Sequence, residues 1–196
     1  AGCDTCGDVN GLVIAEWLGA LTDNDYVHGP LEALCTVDEE TGLTGAYNLG
    51  EGMIKGSILL NLDSEDDAVL FIGCAGGIDT QAAFHYSRSF APTDFIYFKA
   101  DVSGLLGGHS GGDIHLGRAN ANKIIARFLY GISLRHEVVI AEIDGGNLRN
   151  AIPRAAHAVF GVHTSRKEDV RVAFNELIAE LENEYKGLET GIKLTL

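Results

Sequence analysis

Apolar and polar positions follow different patterns in the two halves of the chain. In the first half, residues 10–21 are apolar at helical spacing, and three short apolar runs at 31–37, 57–62 and 69–73 predict buried strands. A short helix or turn is predicted within 41–49. Strands separated by helical segments favour an α/β class, here a partial α/β sheet domain.

The second half carries a longer and more regular pattern. Alternating runs predict four strands, and two stretches with one apolar face predict helices between them. These elements are a strand at 95–105, a helix at 120–132, strands at 138–143 and 155–163, a helix at 168–185 and a strand at 192–196. The order β-α-β-β-α-β is the ferredoxin-like arrangement. Pro92 interrupts the pattern before it, so we expect domains of residues 1–90 and 91–196.

Charge and length narrow the classes of function. The chain has 196 residues and a formal net charge of −14, which repels nucleic-acid phosphate and anionic membranes. No apolar run approaches the roughly 20 residues that cross a bilayer, and no basic region followed by an apolar stretch opens the chain. We therefore expect a cytoplasmic protein that binds neither nucleic acid nor membrane.

Acidic residues follow two of the predicted strands. Asp38, Glu39 and Glu40 come after the first apolar run, and Asp63 comes after the second. Clustered carboxylates repel each other unless cations or water relieve the repulsion. Such a cluster suits zinc, manganese or cobalt where histidine completes the ligand set, and magnesium or calcium where only oxygen does. The residues alone leave open both a metal site and a solvated acidic loop.

Two other motifs carry weaker signals. Residues 107–112 form a glycine-rich loop around His109, but the Lys-Ser/Thr of a phosphate-binding loop is missing from it, which argues against nucleotide binding. Taken alone, His109 is either a loop histidine or a functional one. Cys3 and Cys6 form a single C-x-x-C, and without a second pair a structural or incidental role is favoured over a metal or redox role.

Six segments, in this order along the chain, resemble one enzyme family. They are residues 29–34, 36–42, 61–66, 73–77, 107–112 and 145–154. Together they resemble the aminoacyl-histidine (Xaa-His) dipeptidases, cytosolic two-zinc metallopeptidases related to carnosinase. The likeness covers essentially the whole chain. It implies metal-dependent hydrolysis of Xaa-His dipeptides by a catalytic α/β domain with a smaller lid domain.

The resemblance implies roles for three carboxylates in the first half. Glu39 matches the general base, which takes a proton from a metal-activated water. Glu40 matches a ligand of one zinc ion, and Asp63 matches a ligand of the other. Zinc is the implied cofactor, with manganese or cobalt as alternatives.

The resemblance also implies roles for three residues of the lid domain. His109 matches the histidine that stabilises the oxyanion of the tetrahedral intermediate, and in relatives it often comes from the partner subunit. Asn150 matches a residue near the substrate, and Arg154 is a candidate to bind the substrate carboxylate through two hydrogen bonds. The implied partners are a small peptide substrate and a second copy of the chain, since lid domains often pair through an edge strand or helix.

The chain departs from the family near its start. The family pattern G-A-D-N-G, whose Asp bridges both metals, corresponds to residues 7–11, where Val9 takes the bridging position. Valine cannot bind a cation, so the adjacent Asp8 is a ligand only if the turn shifts. The family's His-x-Asp strand and last metal-binding histidine fall outside this chain, which therefore looks like an internal fragment or a truncated homologue. Two interpretations stay open: a zinc dipeptidase, and a non-catalytic binding or dimerisation module that has lost the metal site.

Overall fold

Two units divide the chain, Ala1–Thr80 and Gln81–Leu196. The computed structural model describes residues 19, 22, 27–61, 68–74 and 76–196. The domain division expected between residues 90 and 91 stays a prediction.

The described part of the first unit contains two short helices and irregular backbone. Helix α1 spans Glu39–Gly42 and helix α2 spans Thr44–Tyr47, in the region predicted as a short helix or turn. Leu43 joins them in a left-handed conformation with φ of 58°. Gly45 donates its N–H to the Val37 carbonyl at 3.0 Å. A Cβ at Gly45 would lie 2.6 Å from the Val37 nitrogen, so glycine alone permits this approach.

Among the described residues of the first unit, the three predicted strands are absent. The described residues of 31–37, 57–62 and 69–73 have irregular backbone, so the strands predicted at these positions are wrong for the described residues. The partial catalytic domain itself stays a prediction. Their apolar side chains are largely exposed: Ile58 is 83% exposed and Ile72 is 95% exposed. A strand needs a neighbour to pair its N–H and C=O groups, and none of the described residues pairs with these runs in a sheet.

A four-stranded antiparallel sheet with two helices forms the second unit. Its elements are β1 (Phe95–Ser103), α3 (Ala121–Ser133), β2 (Val138–Gly145), β3 (Ala156–His163), α4 (Lys167–Glu184) and β4 (Lys193–Thr195), with 3-10 turns at Ile114–Leu116 and Thr164–Arg166. The strand order is β2-β3-β1-β4, and each neighbouring pair is antiparallel. The succession of strands and helices expected for the second half is present.

Four aromatic rings mark the core, which lies between the sheet and its helices. Phe160 of β3 is fully buried, and Phe98 of β1 stacks on it with ring centroids 5.8 Å apart. Phe128 of α3 meets Phe160 edge-on at 5.7 Å and Phe174 of α4 at 5.1 Å. Offset-stacked and edge-on pairs add stability beyond their burial. The rings therefore tie both helices to the two central strands.

The helices form where the apolar spacing predicts them. The buried residues of α3 recur at helical spacing on one face: Ala121, Ile124, Ile125, Phe128, Leu129 and Ile132. Asn120 caps this helix, because its side-chain oxygen accepts the N–H of Lys123 at 3.2 Å. Within the described residues, no helix is both long and apolar enough to cross a bilayer.

Candidate functional site

Residues 104–113, which we call the His109 loop, lead from β1 towards α3. Gly107 and Gly108 have φ values of 67° and 141°, in the left-handed region that glycine enters without strain. A Cβ at Gly108 would lie 2.4 Å from Nη1 of Arg118 and 2.6 Å from Oδ2 of Asp113. The glycines therefore let the loop backbone come close to these two side chains.

The His109 loop lies against the segment that precedes β3. Ser110 donates its N–H to the Asn150 carbonyl at 2.8 Å, and Ile152 donates its N–H to the Gly108 carbonyl at 2.8 Å. His109 and Ala151 form the antiparallel bridge between these two bonds. Two segments that are some forty residues apart in sequence are thus held side by side.

His109 is held by hydrogen bonds to both its backbone and its ring. Its N–H donates to Oδ2 of Asp113 at 2.8 Å, and its carbonyl accepts the Asp113 N–H at 3.0 Å. The ring Nδ1 accepts the N–H groups of Gly111 at 3.1 Å and Gly112 at 3.0 Å. The side chain remains exposed, so the ring is oriented and still accessible.

The structure brings the other two predicted lid residues near this loop. Asn150 is half-buried and binds Ser110 through its carbonyl. Nε of Arg154 donates to the Leu105 carbonyl at 3.2 Å, and a Cβ at Gly107 would lie 2.3 Å from Cγ of Arg154. Arg154 therefore supports the loop, and its predicted contact with a substrate carboxylate stays a prediction.

An open cavity of about 490 Å³ lies beside the same segment. Ser110 of the His109 loop, the N-terminal end of α3 and the turn after β2 line it. The arginine that lines it is Arg149, whereas the sequence pointed to Arg154. Nδ2 of Asn122 donates to the Gly145 carbonyl at 3.2 Å and so joins two walls of the cavity.

Three charged residues that the sequence did not single out hold the loop in place. Glu189 is buried, and its carboxylate accepts the N–H of Leu106 at 2.8 Å and the N–H of Ala119 at 2.9 Å. Arg118 donates to the Gly107 carbonyl at 2.7 Å and lies 3.3 Å from Asp113. No sequence motif marks Glu189, because its partners are backbone groups 70 and 83 positions away.

Of the carboxylates predicted to act in catalysis or metal binding, the structure describes only Glu39 and Glu40. Glu39 is exposed and begins α1, so it lies on a helical turn and not at a strand end as expected. Glu40 is the next residue of α1. Asp63, Asp8 and Val9 lie outside the described residues, as do Cys3 and Cys6. The roles assigned to these residues stay predictions.

The described residues do not hold a metal ion by themselves. Among residues 27–61, 68–74 and 76–196, no three His, Cys, Asp or Glu side chains are grouped closely enough to form such a site. Zinc normally takes about four ligands from these residue types. The described part of the chain therefore does not fit zinc without further ligands.

Known proteins are similar to this chain in sequence and in structure. Residues 101–189 match the family described as peptidase dimerisation domain. The chain is 41% identical over 192 residues to the cytosol non-specific dipeptidase of Escherichia coli (strain K12). The aligned region covers 98% of this chain and 40% of that protein. The chain is thus similar to dipeptidases over nearly its whole length, and its residues 101–189 are similar to a peptidase dimerisation domain.

A solved structure supports the same relationship. The crystal structure of aminoacylhistidine dipeptidase from Vibrio alginolyticus is 38% identical to this chain, with a TM-score of 0.71 over 95% of this chain and 38% of that one. The resemblance inferred from the six segments is thereby confirmed. This chain spans about two-fifths of the length of the relatives that it matches. The matched family covers the His109 loop, Asn150 and Arg154.

Proposed function

We propose that this chain carries the lid and part of the catalytic half of a metal-dependent dipeptidase that acts on Xaa-His dipeptides. The observation that carries the proposal is the oriented ring of His109 at a loop that adjoins an open cavity. The relatives that match the chain are named dipeptidases. In this proposal the second unit is a ferredoxin-like lid, the cofactor is zinc, and the protein works in the cytoplasm.

The residues of the second unit divide the task of holding the substrate. His109 donates a hydrogen bond to the oxygen that becomes negative when the peptide carbonyl is attacked. Asn150 positions the substrate beside this loop, and Arg154 or Arg149 binds its carboxylate. In the first unit, Glu39 is the proposed general base. Glu40, Asp63 and Asp8 are the proposed metal ligands.

A turnover assay with matched histidine variants tests this function. The purified chain is given Xaa-His dipeptides with and without zinc, and His109→Ala is compared with His115→Ala, an exposed histidine of the neighbouring 3-10 turn. Loss of one oxyanion donor lowers kcat by about 100- to 1,000-fold, so His109→Ala should lose turnover while His115→Ala keeps it. Zinc-dependent turnover that survives His109→Ala would refute the role of His109. Absence of turnover in the zinc-loaded wild-type chain would refute catalysis by this chain.

A second candidate function is a dimerisation module without catalysis. The family description of residues 101–189 and one exposed sheet edge favour it. β2 is an eight-residue edge strand, whereas the opposite edge, β4, has three residues. Ile140 and Ile143 of β2 are 56% and 57% exposed. A long edge strand with apolar side chains is a template for pairing, and a second copy of the chain is the proposed partner.

Sedimentation of charged variants tests the homodimer. Ile140→Lys places a charge on the edge strand, and Val172→Lys places the same charge on an exposed apolar position of α4. The wild-type chain and Val172→Lys should sediment as dimers, and Ile140→Lys as a monomer. A monomeric wild-type chain at high concentration would rule out the homodimer. Equal effects of the two variants would rule out the β2 edge as its interface.

A further inference from the structure

We infer that the backbone N–H groups of Gly111 and Gly112 fix His109 as the neutral tautomer that carries its proton on Nε2. This inference rests on the proposed function for its use in catalysis, but the tautomer is a property of the loop itself. The glycine N–H groups are thus positioning groups, which act on the substrate through the histidine ring.

The ring contacts determine which nitrogen carries the proton. Nδ1 of His109 accepts two N–H groups, from Gly111 at 3.1 Å and from Gly112 at 3.0 Å. In a neutral imidazole one nitrogen donates and the other accepts, and the hydrogen bonds of one nitrogen set the state of the other. A proton on Nδ1 would face both donors and leave two N–H groups without an acceptor. Nδ1 is therefore the acceptor, and Nε2 holds the proton.

Two hydrogen bonds between Asp113 and His109 close the turn that carries the two N–H groups. The Asp113 N–H donates to the His109 carbonyl at 3.0 Å, and the Asp113 carboxylate accepts the His109 N–H at 2.8 Å. Arg118 lies 3.3 Å from this carboxylate and also donates to the Gly107 carbonyl at 2.7 Å. These bonds hold the turn whether or not the ring accepts the glycine N–H groups, so the donors are preorganised.

Glycine at position 111 also lets the ring lie close to the turn. A Cβ at Gly111 would lie 3.3 Å from both Cε1 and Nδ1 of His109, which is tighter than ordinary contact. A Cβ at Gly112 would lie 3.8 Å from Nδ1, an ordinary van der Waals distance. Position 112 therefore accepts alanine without displacing the ring, and this gives a matched control.

The tautomer limits what His109 does in the proposed reaction. Nε2–H is a hydrogen-bond donor, and none of the described residues forms a hydrogen bond with it. It is suited to an oxygen that gains negative charge, such as the oxyanion of peptide hydrolysis. In this state Nε2 has no lone pair with which to accept a proton, so His109 does not serve as a general base.

Nitrogen NMR of the full chain tests the inference. In ¹⁵N-labelled protein, at a pH where the ring is neutral, the two ring shifts of His109 report which nitrogen carries the proton. The wild-type chain and Gly112→Ala should show the Nε2–H form. Gly112→Pro removes one N–H donor and should raise the population of the Nδ1–H form. A dominant Nδ1–H form in the wild-type chain, or identical tautomer populations in Gly112→Ala and Gly112→Pro, would overturn the inference.

A second measurement does not depend on how Gly112→Pro folds. In His109→Ala the ring acceptor is lost, so the Gly111 and Gly112 amides should exchange with solvent about fivefold faster, as for the loss of one ordinary hydrogen bond. The Asp113 amide, which binds the His109 carbonyl, should keep its exchange rate. Unchanged exchange at both glycines would also overturn the inference. Neither measurement needs substrate or metal, so failed turnover with a confirmed tautomer would reject only the proposed function.

Discussion

Apolar runs of similar length have opposite outcomes in the two units. In the second unit, Phe160 and Val162 of β3 are fully buried between paired strands and helices. In the first unit, Ile58 and Ile72 lie in irregular backbone and are almost fully exposed. The difference lies in the partners, since β3 has a strand on each side and packs against α3 through Phe160 and Phe128. A local apolar pattern becomes a strand only where such partners exist.

The residues predicted to be functional differ between the two units in the same way. In the second unit, His109, Asn150 and Arg154 each form hydrogen bonds with groups far away in sequence or across the loop. In the first unit, Glu39 begins a four-residue helix and is exposed. Side chains are positioned for chemistry where the surrounding backbone is itself fixed. The comparison therefore predicts that substitutions have large effects in the second unit and small ones in the first.

The largest expected effect comes from truncating one phenylalanine in each unit. Phe160→Ala removes a fully buried ring that contacts Phe98 and Phe128, and it should lower the free energy of unfolding by about 3–5 kcal/mol. Phe71→Ala removes a largely exposed ring of the first unit and should change it by less than about 0.5 kcal/mol. Urea denaturation followed by far-ultraviolet circular dichroism measures both. Similar losses would break the comparison between the units.

The next largest effect is expected from removing Glu189, the buried carboxylate that binds the His109 loop. Glu189→Ala leaves the N–H groups of Leu106 and Ala119 without their acceptor. The cost should be about 1.5–4.5 kcal/mol, since the unsatisfied buried N–H of Ala119 costs roughly 1–3 kcal/mol and the part-buried bond of Leu106 contributes about 0.5–1.5 kcal/mol. Glu176→Ala removes an exposed carboxylate of α4 and should cost less than about 0.5 kcal/mol in the same denaturation experiment. A Glu189→Ala variant as stable as the Glu176→Ala control would show that the carboxylate does not hold the loop.

A smaller effect concerns the packing of two glycines. A Cβ at Gly161 of β3 would lie 2.7 Å from the Tyr97 ring, so Gly161→Ala should cost about 1–3 kcal/mol by overpacking. A Cβ at Gly131 of α3 would contact nothing within 4 Å, so Gly131→Ala should stabilise the helix by about 0.5–1 kcal/mol. Thermal unfolding should show Tm shifts of opposite sign. Adding Tyr97→Ala to Gly161→Ala should recover part of the loss, and no recovery would contradict the overpacking explanation.

The smallest effect comes from the ion pairs between α3 and α4. Arg127 donates to Glu184 and to Glu180, each at 2.6 Å, and its hydrogen bond lowers the pKa of Glu184 from the usual 4.5. These side chains are largely exposed, so Arg127→Met should cost less than about 1 kcal/mol at neutral pH.

This contribution has a defined pH dependence. Because the folded pKa of Glu184 is lowered, the stabilisation is complete above the unfolded value near 4.5 and is lost as the pH falls through the lowered folded value. The difference between wild-type and Arg127→Met unfolding should therefore shrink only below about pH 4.5. Arg171→Met breaks a pair within α4 alone and serves as the control. A difference that grows on acidification would contradict the assigned direction of the pKa shift.

The sequence predicted the second unit because its signals agree with each other. The helix at 120–132 was predicted from its apolar face, and α3 spans Ala121–Ser133. The runs at 31–37, 57–62 and 69–73 had only apolar content and β-propensity to support them. These properties describe a surface that fits a sheet, but they do not supply the neighbouring strand.

The His109 motif was recognisable in the sequence, and the groups that position the histidine were not. Glycines around one histidine stand out at 107–112, and the resemblance gave His109 its expected role. Glu189 and Arg118 carry no local signal, because each acts on backbone groups that only the fold brings near. Arg149 lines the cavity, whereas the sequence pointed to Arg154.

By itself the sequence determined the order of elements in the second unit, the relationship to dipeptidases and the residues that are candidates for chemistry. Apolar spacing and motif order are local properties, and each is legible without knowing what lies nearby. The tertiary structure alone decided which apolar runs are paired, which arginine lines the cavity and which nitrogen of His109 accepts hydrogen bonds. Those outcomes depend on contacts between segments distant in sequence, which exist only once backbone donors and acceptors have found their partners.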